Sequence, residues 1–340
     1  MKKIRVGING VGRIGRTILR EFFVRKNEGE KFSFEIVAVN NPGEPDIYAH
    51  LLKYDSVHGT FPLDVSYANG ELKMGKNTLQ FYTEKEPKLI PWNKGELDLI
   101  IDATGRFKGK PDLSAHLNGT VTKVLMCAPG KDMDGTFVMG VNHQNYDHKK
   151  HHVVSNASCT TNCLAPIAKL LSDEYGIESG YMTTIHSYTS DQNLLDNSHN
   201  DLRRARAAAV SMIPTTTGAA KALGDVIPEL KGKLDGISIR VPTPNVSVVD
   251  LSVNLQKKSS IEAVNQLIKK ASEGKLAKLL AYCDEPLVSQ DFRGRRESSI
   301  FDSLLTNLIG NNLKVVSWYD NEAGYSNRII DFANYMGEQF

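Results

Sequence analysis

The sequence has little of what marks a secreted, membrane-spanning or nucleic-acid-binding protein. It holds only four cysteines in 340 residues, which does not suggest a disulfide framework. No apolar run is long enough to span a bilayer, and no leader segment with a cleavage site precedes the first strand pattern. The 41 basic and 39 acidic side chains leave a formal net charge of +2, so neither nucleic acid nor a membrane is indicated as the main partner. We therefore expect a cytoplasmic protein whose thiols stay reduced.

Low-complexity segments, internal repeats and flexible linkers are also absent, and the length favours two domains. The first half alternates short β-rich runs with helix patterns, which predicts a parallel sheet covered on both sides. The β-rich runs are Ile4–Asn9, Phe34–Asn40, 97–104, 121–128 and 153–156.

The pattern changes near residue 158. Strand patterns at 181–188, 236–241, Ser247–Leu255 and 314–319 predict a mixed or antiparallel sheet with helices on one face. Helix patterns occur after Cys159 and at 203–210, 261–271 and 327–336, and Pro166 should kink or end the first of these. We predict an α/β protein with domains at 1–158 and 159–320, and a segment at 321–340 that returns to the first domain.

A glycine-rich turn lies between the first strand and the first helix pattern. Gly10, Gly12 and Gly15, with Arg13 and Ile14 among them, fit the fingerprint of a Rossmann-type dinucleotide-binding domain. Gly10 would permit the tight turn, Gly12 the approach of a pyrophosphate, and Gly15 close packing of helix on strand. A glycine turn that binds no ligand is the alternative.

The second strand ends without the carboxylate that usually binds the adenosine ribose of NAD. Asn40 and Asn41 stand at its tip, and a neutral side chain would not repel the 2′-phosphate of NADP. Glu44 or Asp46 could still fold back. Both NAD and NADP therefore remain candidates.

Cys159 is the candidate nucleophile. It follows a strand within a cluster of hydroxyl and amide side chains at 155–163, which is typical of a helix N-terminus. There the helix dipole would favour a thiolate, and backbone amides could bind an oxyanion. Burial as a small core residue is the alternative, and it is our prediction for Cys163. No second pair of ligands accompanies the two cysteines, so we expect no metal.

A cysteine nucleophile needs a base, and His186 is the candidate among nine histidines. It ends a predicted strand beside the polar residues 187–191, as a histidine in a cleft would. The histidines at 148, 151 and 152 lie in a basic stretch that is typical of a solvated loop.

Long segments of the chain closely resemble glyceraldehyde-3-phosphate dehydrogenase. They are GINGVGRIGR at 7–16, HLLKYDSVHGTF at 50–61, SNASCTTNC at 155–163, HSYTSD at 186–191, IPTTTGAA at 213–220, RVPTPNVSVVD at 240–250 and WYDNEAGYSN at 318–327. The resemblance covers nearly the whole chain. It implies a homotetramer with an α+β catalytic domain that oxidises D-glyceraldehyde 3-phosphate through a Cys159 thioester, which inorganic phosphate then converts to 1,3-bisphosphoglycerate.

The resemblance also implies two anion sites and a cofactor site. The substrate phosphate would bind at Thr189, Asp191 and Arg240, and the attacking phosphate at Ser158, Thr160, Arg204, Thr217 and Gly218. For Arg204 a charged helix face is the alternative. The cofactor residues would be those of the glycine turn together with Asn40, Asn41, Thr104, Cys127, Asn321 and Tyr325.

Several positions depart from the family pattern around the cofactor. Asn41 stands where NAD-preferring members usually carry Asp, and Asn197-Ser198 where they carry Leu-Pro. Ala323 replaces a usual Trp, and Cys127 a common Ser. These departures leave the reaction class intact and make use of NADP plausible.

Two rival functions remain at this level. One is oxidation of erythrose 4-phosphate by similar chemistry. The other is a non-catalytic cofactor-binding or adhesive protein, which could tolerate loss of Cys159 or His186, although both motifs are intact. Glycolytic and biosynthetic flux are both compatible with the sequence, as are binding roles beyond catalysis.

Overall fold

The computed structural model describes residues 3–340, so Met1 and Lys2 of the predicted first domain lie outside the described residues. The chain divides into two compact units. Unit 1 contains the chain up to Phe137, His143–Ala157 and Ser326–Phe340, and unit 2 contains Val138–Asn142 and Ser158–Tyr325. Residues 138–142, residue 158 and residues 321–325 thus belong to unit 2, whereas the predicted domains place them otherwise. Ser158 caps the first helix of unit 2, which explains why it groups with that unit.

The strands of unit 1 are β1 Ile4–Asn9, β2 Phe34–Asn40, β3 Tyr54–Asp55, β4 Gly59–Thr60, β5 Val65–Ala68, β6 Glu71–Met74, β7 Asn77–Tyr82, β8 Leu99–Asp102, β9 Lys123–Met126, β10 Gly135–Thr136 and β11 Val153–Ser155. Those of unit 2 are β12 Ile177–Ser187, β13 Ile213–Thr216, β14 Leu234–Val241, β15 Ser247–Leu255, β16 Leu280–Cys283, β17 Ser299–Ile309 and β18 Asn312–Tyr319. The helices are α1 Arg13–Asn27, α2 Pro45–Lys53, α3 Lys110–Leu113, α4 Cys159–Tyr175, α5 Leu223–Val226, α6 Ile261–Glu273 and α7 Ala323–Gly337.

Unit 1 is built on a sheet with the strand order β10-β11-β9-β8-β1-β2-β7-β6-β5. The strands from β10 to β7 pair in parallel, and β6 and β5 extend the edge in antiparallel fashion. Because β2 and β8 lie on opposite sides of β1, the direction of the strand order reverses between β1 and β8. Ligands of such sheets bind beyond the carboxyl ends of the strands at this reversal.

Unit 2 is built on a mixed sheet with the order β13-β14-β12-β15-β18-β17-β16. The β12–β14 and β16–β17 pairs are parallel, and the others are antiparallel. Ser247–Leu255 alternates buried and more exposed positions, as a strand with one face on the core should. Helices α4 and α6 pack on this sheet and on each other, so they share one face. The predicted fold class, a parallel-sheet domain plus a domain with a mixed sheet, is confirmed.

Of the helix features predicted for unit 2, the helix at 203–210 is wrong, and of the two outcomes expected at Pro166 the end of the helix does not occur. Residues 203–210 form no α-helix, because carboxylates and loop carbonyls take up their amides: Arg203 N–H donates to Asp201 and Ala207 N–H to Asp196. Only a short 3₁₀ turn, Ala208–Val210, remains. Pro166 does not end α4, since the buried side chains on both sides of it hold the helix against the core through to Tyr175.

Helices that could cross a bilayer do not occur among residues 3–340: none is both long and apolar enough.

Candidate active site

The glycine-rich turn of unit 1 has the geometry that its sequence predicts. Gly10 has a φ of +97°, a conformation that side chains rarely adopt, and its N–H donates to the carbonyl of Asn40 at 2.8 Å. A Cβ on Gly15 would overlap the carbonyl oxygen of Gly10, so only glycine lets α1 start this close to β1. A Cβ on Gly12 would meet no heavy atom within 4 Å. Gly12 is therefore free of packing constraints and exposed to a ligand.

A groove of about 230 Å³ lies beyond the carboxyl ends of β1, β2 and β8. Its lining residues come from the tips of these strands and the loops after them: Asn9, Gly10, Gly12, Asn41, Pro42, Glu84, Lys85, Ala103, Thr104, Arg106 and Phe107. The groove, the open Gly12 and the N-terminus of α1 together fit the pyrophosphate and adenosine of a dinucleotide.

Asn41 lies in this groove and holds the glycine turn. Its side-chain oxygen accepts the N–H of Val11 at 2.8 Å, and its amide nitrogen donates to the carbonyl of Pro42. A second anchor comes from Arg13, which pairs with Asp55 at 2.6 Å. Of the other predicted cofactor residues in unit 1, Ile14 lies in the first turn of α1, and Cys127 is half-buried just after β9.

In unit 2, Cys159 is the first residue of α4. The helix is capped by Ser158, whose hydroxyl accepts the N–H of Thr161 at 3.0 Å. Cys159 is half-buried, whereas Cys163, one turn further on, is fully buried against Ser299 and Ser317. The cap fixes the direction of the helix, and with it the position of the Cys159 thiol.

His186 faces that thiol from β12. Its Nε2 lies 3.5 Å from the Sγ of Cys159, and its Nδ1 lies 2.7 Å from the carbonyl oxygen of Ser187. Because a carbonyl oxygen can only accept, the ring proton sits on Nδ1 and the lone pair of Nε2 points to the thiol. The histidine is oriented as a base toward the cysteine.

The protonation states of the pair follow from burial and from Arg240. Burial raises the pKa of the Cys159 thiol, and the Arg240 guanidinium and Thr160 only partly offset this effect. Burial and Arg240 lower the pKa of His186 to about 3, despite its bond to Ser187. At neutral pH the pair is a thiol beside a neutral imidazole. Burial thus opposes the thiolate that the helix dipole would favour.

Tyr319 belongs to the site but was not predicted from the sequence. This residue is 1% exposed, and its hydroxyl bonds Thr160 at 2.9 Å and Thr184 at 2.8 Å, joining α4 to β12. Its ring meets His186 edge-on at a centroid distance of 5.9 Å. The signal was its place at an inward-facing position of β18 inside a quoted motif.

The two predicted anion sites are joined through Arg204. Its Nη1 pairs with Asp191, a residue of the other predicted set, and its Nε donates to Thr215 at 3.0 Å. Arg240 donates to Thr189 at 3.1 Å, and its Nε is buried with no partner among residues 3–340. Burial and the nearby Arg204 both lower the pKa of Arg240. Two close guanidiniums, one with an unsatisfied donor, form a site that attracts an anion.

Four predicted site residues of unit 2 remain: Asn321, Tyr325, Thr217 and Gly218. The oxygen of Asn321 accepts from the hydroxyls of Ser187 at 2.8 Å and Ser247 at 2.9 Å, so its NH₂ group is the part left for a ligand. Tyr325 is buried in α7. Gly218 is exposed, and the Thr217 hydroxyl accepts the N–H of Ala219.

Comparison with known proteins identifies the family. The NAD binding domain of glyceraldehyde 3-phosphate dehydrogenase matches residues 4–110, and the C-terminal domain of the same enzyme matches residues 158–321. The chain belongs to the glyceraldehyde-3-phosphate dehydrogenase family. The resemblance seen in the sequence is confirmed.

Relatives share about half of their residues with this chain over nearly their full length. A glyceraldehyde-3-phosphate dehydrogenase 2 of Nostoc sp. is 53% identical over 339 residues, which cover 99% of each chain. The glyceraldehyde-3-phosphate dehydrogenase of Geobacillus stearothermophilus is 52% identical over 337 residues, again 99% of each chain. A glyceraldehyde-3-phosphate dehydrogenase 1 of Bacillus subtilis is 49% identical over 337 residues with the same coverage.

Proposed function

We propose that the chain oxidises D-glyceraldehyde 3-phosphate, with inorganic phosphate as second substrate, to 1,3-bisphosphoglycerate, with Cys159 as nucleophile and His186 as base. Family membership makes it an NAD(P)-dependent oxidoreductase that acts on glyceraldehyde 3-phosphate. The observation that carries the residue roles is the 3.5 Å approach of His186 Nε2 to Cys159 Sγ, with the opposite ring nitrogen held by Ser187.

The chemistry begins with a proton transfer, because Cys159 is a thiol at neutral pH. His186 Nε2 accepts that proton as Sγ attacks the aldehyde carbon, and returns it to the oxygen to give a thiohemiacetal. A bound nicotinamide would supply the hydride acceptor for this intermediate. His186 then takes the hydroxyl proton of the thiohemiacetal as the thioester forms. Phosphate attacks the thioester carbon, the C–S bond breaks, and Cys159 recovers its proton from His186.

The two arginines provide binding for the anions. We assign the substrate phosphate to Arg240 with Thr189 and Asp191, because the unpartnered Nε of Arg240 offers a buried donor. We assign the attacking phosphate to Arg204. Ser158, Thr160, Thr217 and Gly218 complete that site by resemblance. The hydroxyls of Ser158 and Thr160 already bond Thr161 and Tyr319, so any contribution to anion binding would come beside those bonds.

Cofactor selectivity follows from Asn41. A neutral side chain in the groove carries no charge to repel a 2′-phosphate, and the Asn41 oxygen is already bonded to Val11. We therefore propose that the chain uses both NAD and NADP. Asn41→Asp should raise the ratio of kcat/KM for NAD over NADP at least tenfold, because a carboxylate would repel the phosphate. An unchanged ratio would show that selectivity is set elsewhere, for example by Ser198.

The proposed homotetramer has a candidate surface on unit 2. Five large apolar side chains between residues 194 and 212 are 75–82% exposed: Leu194, Leu195, Leu202, Val210 and Met212. Apolar exposure of this extent is typical of a surface that binds another copy. Sedimentation velocity of the wild type should give a species of four chains. A monomer at micromolar concentration would refute the assignment. A cytoplasmic location stays a prediction.

The direct test follows nicotinamide reduction at 340 nm with glyceraldehyde 3-phosphate, with and without inorganic phosphate. Cys159→Ser should lower kcat by roughly 10³-fold or more, and His186→Gln by about 10²–10⁴-fold. Cys163→Ala, one helical turn away, is the matched control and should stay active. Erythrose 4-phosphate is run in parallel. Faster turnover of erythrose 4-phosphate, or full activity of Cys159→Ser, would overturn the proposal.

A further inference from the structure

A chain of buried polar side chains in contact lies beneath the dinucleotide groove of unit 1. Trp92 Nε1 donates to His116 Nδ1 at 3.1 Å, and His116 Nε2 lies 3.4 Å from Asp102 Oδ2. Asn9 donates to the same carboxylate oxygen at 2.8 Å and accepts from Asn40 at 2.8 Å. All five residues are at most 3% exposed. Such a buried polar chain must be satisfied throughout, so each member constrains the next.

The position of the ring proton on His116 follows from its neighbours. An indole N–H can only donate, so His116 Nδ1 accepts and carries no proton. The proton of the neutral ring therefore sits on Nε2. The Asn9 amide nitrogen also lies 3.4 Å from Nε2, but both atoms then carry protons, so they form no hydrogen bond with each other. Asp102 Oδ2, at 3.4 Å, is the acceptor beside the Nε2 proton, and Trp92 is the residue that imposes this tautomer.

These buried polar side chains contact the groove residues at two places. The second oxygen of Asp102 accepts both the hydroxyl of Thr104 at 2.8 Å and its N–H at 3.2 Å. Asn40 donates to the carbonyl of Glu84 at 3.0 Å and accepts its N–H at 2.9 Å. Thr104 and Glu84 both line the groove, as does Asn9. The tips of β1, β2 and β8 and Glu84, two residues after β7, are therefore fixed relative to one another by buried side chains.

We propose that His116 is a positioning residue for the dinucleotide: through Asp102 it holds Asn9 and Thr104 in the arrangement that binds the cofactor. A buried carboxylate that loses one donor turns toward the donors that remain, and Thr104 at the groove edge moves with it. The proposal rests on dinucleotide binding by unit 1 and is independent of the catalytic roles of Cys159 and His186.

Two substitutions of His116 separate positioning from stability. The amide of Gln reaches the place of Nε2, so His116→Gln keeps a donor to Asp102 and loses the bond from Trp92. The amide of Asn reaches the place of Nδ1, so His116→Asn keeps the bond from Trp92 and loses the donor to Asp102. Each variant loses one buried polar contact, and we expect similar falls in Tm. Only His116→Asn should weaken cofactor binding, by about tenfold in Kd.

Isothermal titration of NAD and NADP into each cofactor-free protein measures the Kd without turnover, and the KM for glyceraldehyde 3-phosphate should not change. Equal Kd values for the two variants, or a weaker His116→Gln, would overturn the proposal. If His116→Asn does not fold, the ¹⁵N shifts of His116 in the wild type decide: a proton on Nδ1 refutes the assignment. Wild-type protein that binds no dinucleotide would refute the proposed function as well.

Discussion

Gly12 and Gly15 of the turn between β1 and α1 are required for different reasons, so we predict different effects when each is replaced by alanine. Gly15→Ala places a Cβ 3.0 Å from the carbonyl carbon of Gly10 and closer still to its oxygen. Non-bonded carbons prefer about 3.5–4.0 Å, so the Gly10 peptide must move by roughly 0.5–1 Å. Gly12→Ala meets no heavy atom within 4 Å, and the Gly12 φ of −73° suits alanine.

The expected results separate packing from ligand approach. Gly15→Ala should lose about 1–3 kcal/mol of stability, a fall in Tm of roughly 2–10 °C, and should also weaken cofactor binding because the Gly10 turn is displaced. Gly12→Ala should keep its stability within about 0.5 kcal/mol and still bind the cofactor at least tenfold more weakly, since its methyl group projects into the groove.

Calorimetry gives both Tm values, and titration of NAD into the cofactor-free protein gives both Kd values. Native stability and native affinity in Gly15→Ala would refute the packing argument. Native affinity in Gly12→Ala would refute the placement of the pyrophosphate at this turn, whatever the Tm.

Three further predictions concern unit 2. Tyr319→Phe removes the hydroxyl that joins Thr160 to Thr184 of β12. We expect the free energy of unfolding in urea to fall by about 1–3 kcal/mol and kcat to fall as well. An unchanged free energy of unfolding and an unchanged kcat would contradict this. Arg240→Leu should shift the pH profile of Cys159 alkylation by iodoacetamide to higher pH, because Arg240 favours the thiolate; an unshifted profile would show that the two do not interact. The pKa of His186 is about 3 in the folded protein, against an ordinary value of 6.5. Between pH 3 and pH 6.5 the unfolded chain therefore binds a proton on this histidine that the folded protein does not bind. The free energy of unfolding thus falls as the pH drops below 6.5. By pH 5 that loss is about 2 kcal/mol, and His186→Gln should not show it in urea titrations at pH 7 and pH 5.

Much of the parallel sheet could be predicted because buried strands are continuous apolar runs. The predicted bounds of β1 and β2 coincide with the observed ones, and those of β8 and β9 extend too far at both ends. The hairpin strands β5 to β7 were missed because they are short and partly exposed, so no apolar run marks them. Strand β17 was missed because polar side chains interrupt it.

The site was less accessible from the sequence than the fold. The motifs indicate which residues take part, but the distance from Cys159 to His186 depends on how α4 and β12 pack. The link through Tyr319 joins residues 159 positions apart, which no local pattern can indicate. For Cys159, the sequence shows the helix N-terminus that favours a thiolate but not the desolvation that opposes it.

Unit 1 is assembled from early segments of the chain and from its last segment, which has a consequence for folding during translation. Arg25 in α1 bonds Asn327 at 2.9 Å and pairs with Asp331 at 2.7 Å, and Ser33 is bonded by Asn334. These partners are translated only after the 168 residues of Ser158–Tyr325. At about 5–20 residues per second, the ribosome takes roughly 10–30 s to cover that distance. During this time α1 lacks its C-terminal partner helix, so the surface that α7 later occupies is open to chaperones and to other nascent chains.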